Sequence, residues 1–147
     1  MNELTPAQRA RPGFIRSFPL LALLLIAYNV AVYGLGHDFN ATTLQPLFQF
    51  KLISGANWTA GWNEVLLVSG LGLLFIEIIK STRTTSMSTL EHALSMLIFI
   101  IFIVEFLIVG PAGTTTFFLL GVMSLIDVMA GYAVSIAVAR KDLNITG

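Results

Sequence analysis

Glu105 and Asp127 are carboxylates set inside long apolar runs, where a charge is hard to keep. If the runs are membrane-spanning helices, Asp127 comes eleven residues after Thr116, about 16 Å along the axis and near mid-span. Glu105 comes five residues before Gly110, about 7–8 Å from its end. A charge in mid-span costs at least about 2.5–3.5 kcal/mol on insertion scales. No Lys or Arg lies within a span to offset it. Such an acid has two uses. Where water reaches it, it can take up and release a proton for coupled transport. Otherwise it becomes a neutral acid that hydrogen-bonds to a neighbouring helix. Asn29, Tyr28, Ser69 and Ser95 are the polar side chains placed to receive it, with Asn29 at about the depth of Glu105. Asp127, Glu105 and Asn29 are therefore the candidates for a proton or ion path.

The other reactive side chains have simpler explanations. Glu77 precedes Lys80 by three residues, the spacing of a helical ion pair. Glu64 falls at an interface, and His92 beside Glu91 reads as a helix-end residue at the membrane surface. His37-Asp38 is too small a set to bind a metal. Cysteine is absent, which excludes disulfides, thiolate metal sites and cysteine nucleophiles. Phosphate-binding loop, nucleophile elbow and HExxH are also absent. Three matches to the glycosylation sequon, at Asn40, Asn57 and Asn144, carry little meaning, since so short a pattern is common by chance. No catalytic residue, cofactor or metal is assigned. Net charge is zero with no basic stripe, so nucleic acid is not an expected partner.

The elements that must position these residues follow from composition. The chain has 147 residues, 56% hydrophobic and 11% charged, where soluble domains carry roughly 25% charge. A span needs about 20 apolar residues to cross a hydrocarbon core of about 30 Å. Four such runs are present, at about 17–36, 61–80, 90–110 and 116–139. The first follows a polar tail, 1–16, and is expected to be a retained span and not a signal peptide, since no small-residue cleavage site follows it. Ser88-Thr89-Leu90-Glu91 has the form of a capping box at the start of the third. Gly110-Pro111 stops that helix, and residues 140–147 form a short tail.

The longest loop, 37–60, holds a semi-apolar stretch at 47–53 in which neither helical nor strand periodicity is clean. It is expected to lie at the membrane surface, with Trp58 and Trp62 in an aromatic belt. In a four-span arrangement seven of the eight basic residues (Arg9, Arg11, Arg16, Lys80, Arg83, Arg140 and Lys141) fall on one side, with Lys51 alone on the other. Cytoplasmic loops carry the excess of Lys and Arg. The expected fold is thus an all-α, multi-pass bundle of four transmembrane helices with both termini inside, in a bacterial inner membrane. The loop 37–60 would be periplasmic.

Gly121, Ser124, Gly131, Ser135 and Ala139 recur at spacings of three, four and seven. They form a stripe about 60–80° wide on the fourth helix, where another helix can approach closely. The Phe- and Ile-rich third helix is better suited to lipid.

The segments 75–83 (FIEIIKSTR), 104–107 (VEFL) and 124–131 (SLIDVMAG) resemble short four-span inner-membrane proteins of proteobacteria. That resemblance implies the architecture and no particular activity. Ring-forming proteolipids of rotary ATPases also combine four spans with a midplane acid, but their helices are far richer in glycine. Two functions fit the sequence. One is a non-catalytic accessory or scaffold subunit, joined through its helices to another membrane protein or to copies of itself. The other is an oligomeric proton- or ion-coupled transporter or channel using Asp127 and Glu105. A membrane enzyme would need a denser set of polar side chains at one level.

Overall fold

The computed structural model describes residues 18–40, 46–82 and 88–145, without the side chains of residues 88, 89, 138, 139 and 141–145. Arg9, Arg11, Arg16 and Arg83 lie outside those residues, and the capping box at Ser88 and the side chains of Ala139 and Lys141 outside the described side chains.

Helix α1 spans Leu21–Asn29 and continues as a π-helical turn over Val30–Gly34, where the Leu35 N–H donates to the Val30 carbonyl at 3.1 Å. Gly36, at φ +67°, ends it in a conformation that disfavours a side chain. The helix is shorter than the 17–36 expected from hydropathy, because Pro19 and the paired glycines trim its ends.

A β-hairpin follows, contrary to the all-α expectation. β1, Phe48–Lys51, pairs antiparallel with β2, Asn57–Ala60, in the register Phe48 to Ala60 and Lys51 to Asn57. At its turn the Gly55 N–H donates to the Leu52 carbonyl (2.9 Å) and the Leu52 N–H to the Ala56 carbonyl (2.8 Å). With Gly55 at φ +86° this is a three-residue loop closed by a left-handed glycine. The strand signal in the sequence is only four residues long and is broken by Leu52-Ile53, which belong to the turn.

Helix α2 spans Trp62–Ser81; its first turn is capped by Glu64, whose carboxylate accepts the Gly61 N–H at 2.7 Å. Helix α3 spans Ser88–Ile108 and ends in a 3-10 turn, Gly110–Ala112. Thr114 caps helix α4, Thr115–Ile145, by accepting the Phe117 N–H at 3.1 Å.

Three helices are long and apolar enough to cross a membrane: Trp62–Ser81, Leu90–Ile108 and Thr115–Ala137. α4 is the most buried of these and α3 the least, which agrees with a lipid-facing third helix. The core gathers Leu21, Leu24 and Tyr28 of α1 with Leu74 of α2, Phe102 of α3 and Phe117, Leu120 and Met123 of α4. Lipid is as apolar as these side chains, so close packing and polar contacts, not transfer from water, must hold the helices together. Gly70 shows the tolerance: a Cβ there would sit 2.7 Å from Met123 Sδ and 3.3 Å from Leu24 Cδ1. Its missing side chain is what lets α1, α2 and α4 meet at one point.

Candidate functional site: a buried polar cluster and a separate carboxyl groove

Polar side chains from α2, α3 and α4 converge beside the start of α1. Glu77 is buried, and its carboxylate forms an ion pair of 2.6 Å with Lys80 on the next turn. It also accepts the Leu20 N–H at the start of α1. Lys80 Nζ donates to the Phe18 carbonyl at 3.1 Å. The i,i+3 pair anticipated from the sequence is therefore also a clamp between helices. A carboxylate placed on a helix N-terminus satisfies an orphan donor and complements the helix dipole.

Asp127 is buried in α4, with the Ser95 hydroxyl of α3 within hydrogen-bonding reach. One turn before Ser95, His92 Nε2 lies 2.8 Å from the Ser135 hydroxyl. Ser135 also donates to the Gly131 carbonyl at 3.1 Å. A hydroxyl has one proton, so with that proton on Gly131 it accepts from His92 Nε2–H. His92 can lie this close to α4 because position 131 has no side chain: a Cβ there would come 2.5 Å from Nδ1 and 2.6 Å from Cε1. Glu77, Lys80, His92, Ser95 and Asp127 all line one cavity of about 20 Å³, room for about one water.

Tyr28, Ser69 and Asn29 do not join this cluster. The Tyr28 hydroxyl donates to the Pro111 carbonyl (2.9 Å) and pairs with Thr114 Oγ1 (2.8 Å), fastening α1 to the turn between α3 and α4. Ser69 is exposed. Asn29 returns its amide to the Leu25 carbonyl at 3.0 Å, and it lines a different feature, an open groove of about 580 Å³ with Ile26, Val30, Tyr33 and Glu105. Asp127 and Glu105 thus belong to two sites. The near-midplane depth inferred for Asp127 follows from counting along one helix. Its surroundings depend on its neighbours, and these are the polar ends of α1, α2 and α3.

Comparison with protein-family models, curated proteins and solved structures finds no match. What the site can do is decided by its own geometry.

The cluster can hold one water and relay a proton between Asp127, Ser95 and the residues around them. It has no volume for a larger substrate. Among the described residues no three His, Cys, Asp or Glu side chains come together as a metal site requires. His92 and Ser135 were not singled out by sequence as a pair. A trace of them was present: His92 and Ser95 are three apart on α3, and Gly131 and Ser135 four apart on α4.

The small-residue stripe is used within the chain. A Cβ on Gly121 would meet Phe102 Cβ at 3.7 Å, Ser124 is buried, and Gly131 and Ser135 receive His92. The large exposed side chains are elsewhere, such as Val68, Leu71, Phe75 and Ile79 on α2 and Ile100, Val104 and Leu107 on α3.

Proposed function

We propose that this is a non-catalytic inner-membrane subunit of bacteria. It crosses the bilayer four times with both termini inside and associates within the membrane with another membrane protein or with copies of itself. The groove formed by Asn29, Tyr33 and Glu105 carries this reading. A carboxyl and an amide on an outward-opening face of a membrane helix are costly against lipid, and they become favourable once a neighbouring helix supplies hydrogen-bond partners. The π-helical turn directly after Asn29 fits such a site, since π-turns concentrate where function re-aims side chains.

The fourth crossing is α1. Its start is held by Glu77 near the end of α2, and Tyr28 is held at the turn between α3 and α4. The seven-to-one division of basic residues supplies the orientation. The chain extracted from its native membrane in polymer discs should give a particle heavier than one copy. Glu105→Leu should reduce it to a single copy while the fold is retained, as judged by helical circular dichroism. A wild-type particle of one copy, or an unchanged Glu105→Leu particle, counts against the proposal.

The Asp127 cluster favours a second reading, proton coupling, because a buried acid and a histidine share a water-sized cavity. Asp127→Asn keeps a hydrogen-bonding group opposite Ser95 but cannot titrate. Under this reading it abolishes proton flux into reconstituted vesicles while assembly persists. Wild-type flux no greater than in empty vesicles, or flux unchanged by the substitution, removes Asp127 from that role.

A further inference from the structure

The β-hairpin has two chemically different faces. Successive strand residues point to opposite sides. In the observed register Phe48, Phe50 and Trp58 share one face, and Gln49, Lys51, Asn57 and Thr59 the other. The Phe50 and Trp58 rings stack at 5.9 Å with 17° between their planes, which confirms the shared face. Phe48, Phe50 and Trp58 are all exposed, and the turn adds Leu52 and Ile53, the latter at 110% relative exposure. A two-stranded hairpin is marginal alone in water, and this one places its largest apolar side chains where none of the described residues covers them.

The position of the hairpin decides what covers it. Ala60, on the same face at its base, is buried. Only Gly61 then separates β2 from α2, a helix apolar enough to cross a membrane, whose first residue is the exposed Trp62. The apolar face therefore begins within two residues of the membrane boundary and cannot be carried far from it.

We propose that the hairpin is a membrane-interface anchor. Its Phe48, Phe50, Trp58 and Ile53 side chains insert into the leaflet at the N-terminal end of α2, while Lys51 and the polar face lie among headgroups and water. Tryptophan is favoured at this level because its ring is apolar and its N–H needs a polar partner. Insertion of this surface also fixes the tilt of α2.

Trp58 and Trp62 are the two tryptophans in the chain, so each can be isolated as a reporter. The full chain carrying Trp62→Phe is reconstituted in phosphatidylcholine vesicles, with part of the lipid brominated near the carbonyl end of the acyl chain. Trp58 should emit in the blue, resist iodide, and lose roughly half its emission to the brominated lipid, as a ring at interface depth would. The Trp58→Phe chain, reporting from Trp62, establishes insertion of α2 in the same vesicles. Adding Ile53→Asp and Phe50→Asp to the Trp62→Phe chain should remove the lipid quenching of Trp58; the same pair in the Trp58→Phe chain should leave that of Trp62 intact. Red emission quenched by iodide would place the hairpin in water and overturn the proposal. Protection from both quenchers would overturn it in favour of a protein cover.

Discussion

Replacing Lys80 by Met should destabilise the folded chain by roughly 3–5 kcal/mol, the cost of leaving a buried charge without its partner. Among the described residues Glu77 keeps the Leu20 N–H in that variant, and it is buried within the same cavity as Asp127. The reverse deletion should cost less. With Glu77→Ala, Lys80 is already partly exposed at 22% and can extend to water. What remains is the lost cap on α1, about 1–3 kcal/mol for an unsatisfied buried donor. Glu77→Gln keeps an acceptor for Leu20 and should fall below Glu77→Ala. The double variant Glu77→Leu/Lys80→Met should fall back to about the cost of Glu77→Ala, since apolar residues can replace the pair at little cost but leave the Leu20 N–H without its acceptor. Unfolding titrations with SDS in mixed micelles measure all four. A Lys80→Met cost under about 1 kcal/mol would mean that the pair is solvated, and a Glu77→Ala cost of no more than about a few tenths of a kcal/mol would mean that Glu77 does not clamp α1.

Gly131→Leu is the second large effect, and a second glycine serves as its control. The Cβ at position 131 would occupy the space of the His92 ring. Overpacking costs about 1–3 kcal/mol. Displacing His92 from Ser135 adds about 1 kcal/mol for a lost hydrogen bond. At Gly72, by contrast, a Cβ would meet no atom within 4 Å, and the residue is exposed on α2. Gly72→Leu should therefore change stability by no more than about 0.5 kcal/mol, or raise it slightly through helix propensity. The same titration compares them. Equal losses at the two positions would show that glycine is needed for backbone reasons, and that close approach of His92 to α4 is not what Gly131 provides.

Together these effects locate the stability of the bundle. Apolar packing joins α1 and α4, through Leu21, Leu24, Leu25 and Tyr28 on one and Phe117, Leu120 and Met123 on the other, and the ends of α1 are also fixed by specific polar contacts: Leu20 with Glu77, and Tyr28 with Pro111 and Thr114. A short helix gains little from surface area alone in lipid, so these contacts carry a large share of its attachment.

The sequence alone determined the features that depend on neighbours along the chain. Of the four apolar runs read as spans, three are helices long and apolar enough to cross a membrane, and Gly110-Pro111 marked the end of α3. The Glu77–Lys80 pair followed from a spacing of three. The small-residue stripe was visible because 100° per residue converts spacing directly into a helix face. Tertiary structure decided where each face points and what it meets. Depth counted along α4 placed Asp127 well from its end, but the crossing of the helices brought Ser95, His92 and Lys80 to its cavity and left Glu105 in a separate groove with Asn29. The stripe's partner was likewise a tertiary matter, being Phe102 and His92 of the same chain. The hairpin was hidden for a related reason: its alternation is four residues long, and pairing with a second short strand, closed by Gly55, is what makes it a strand.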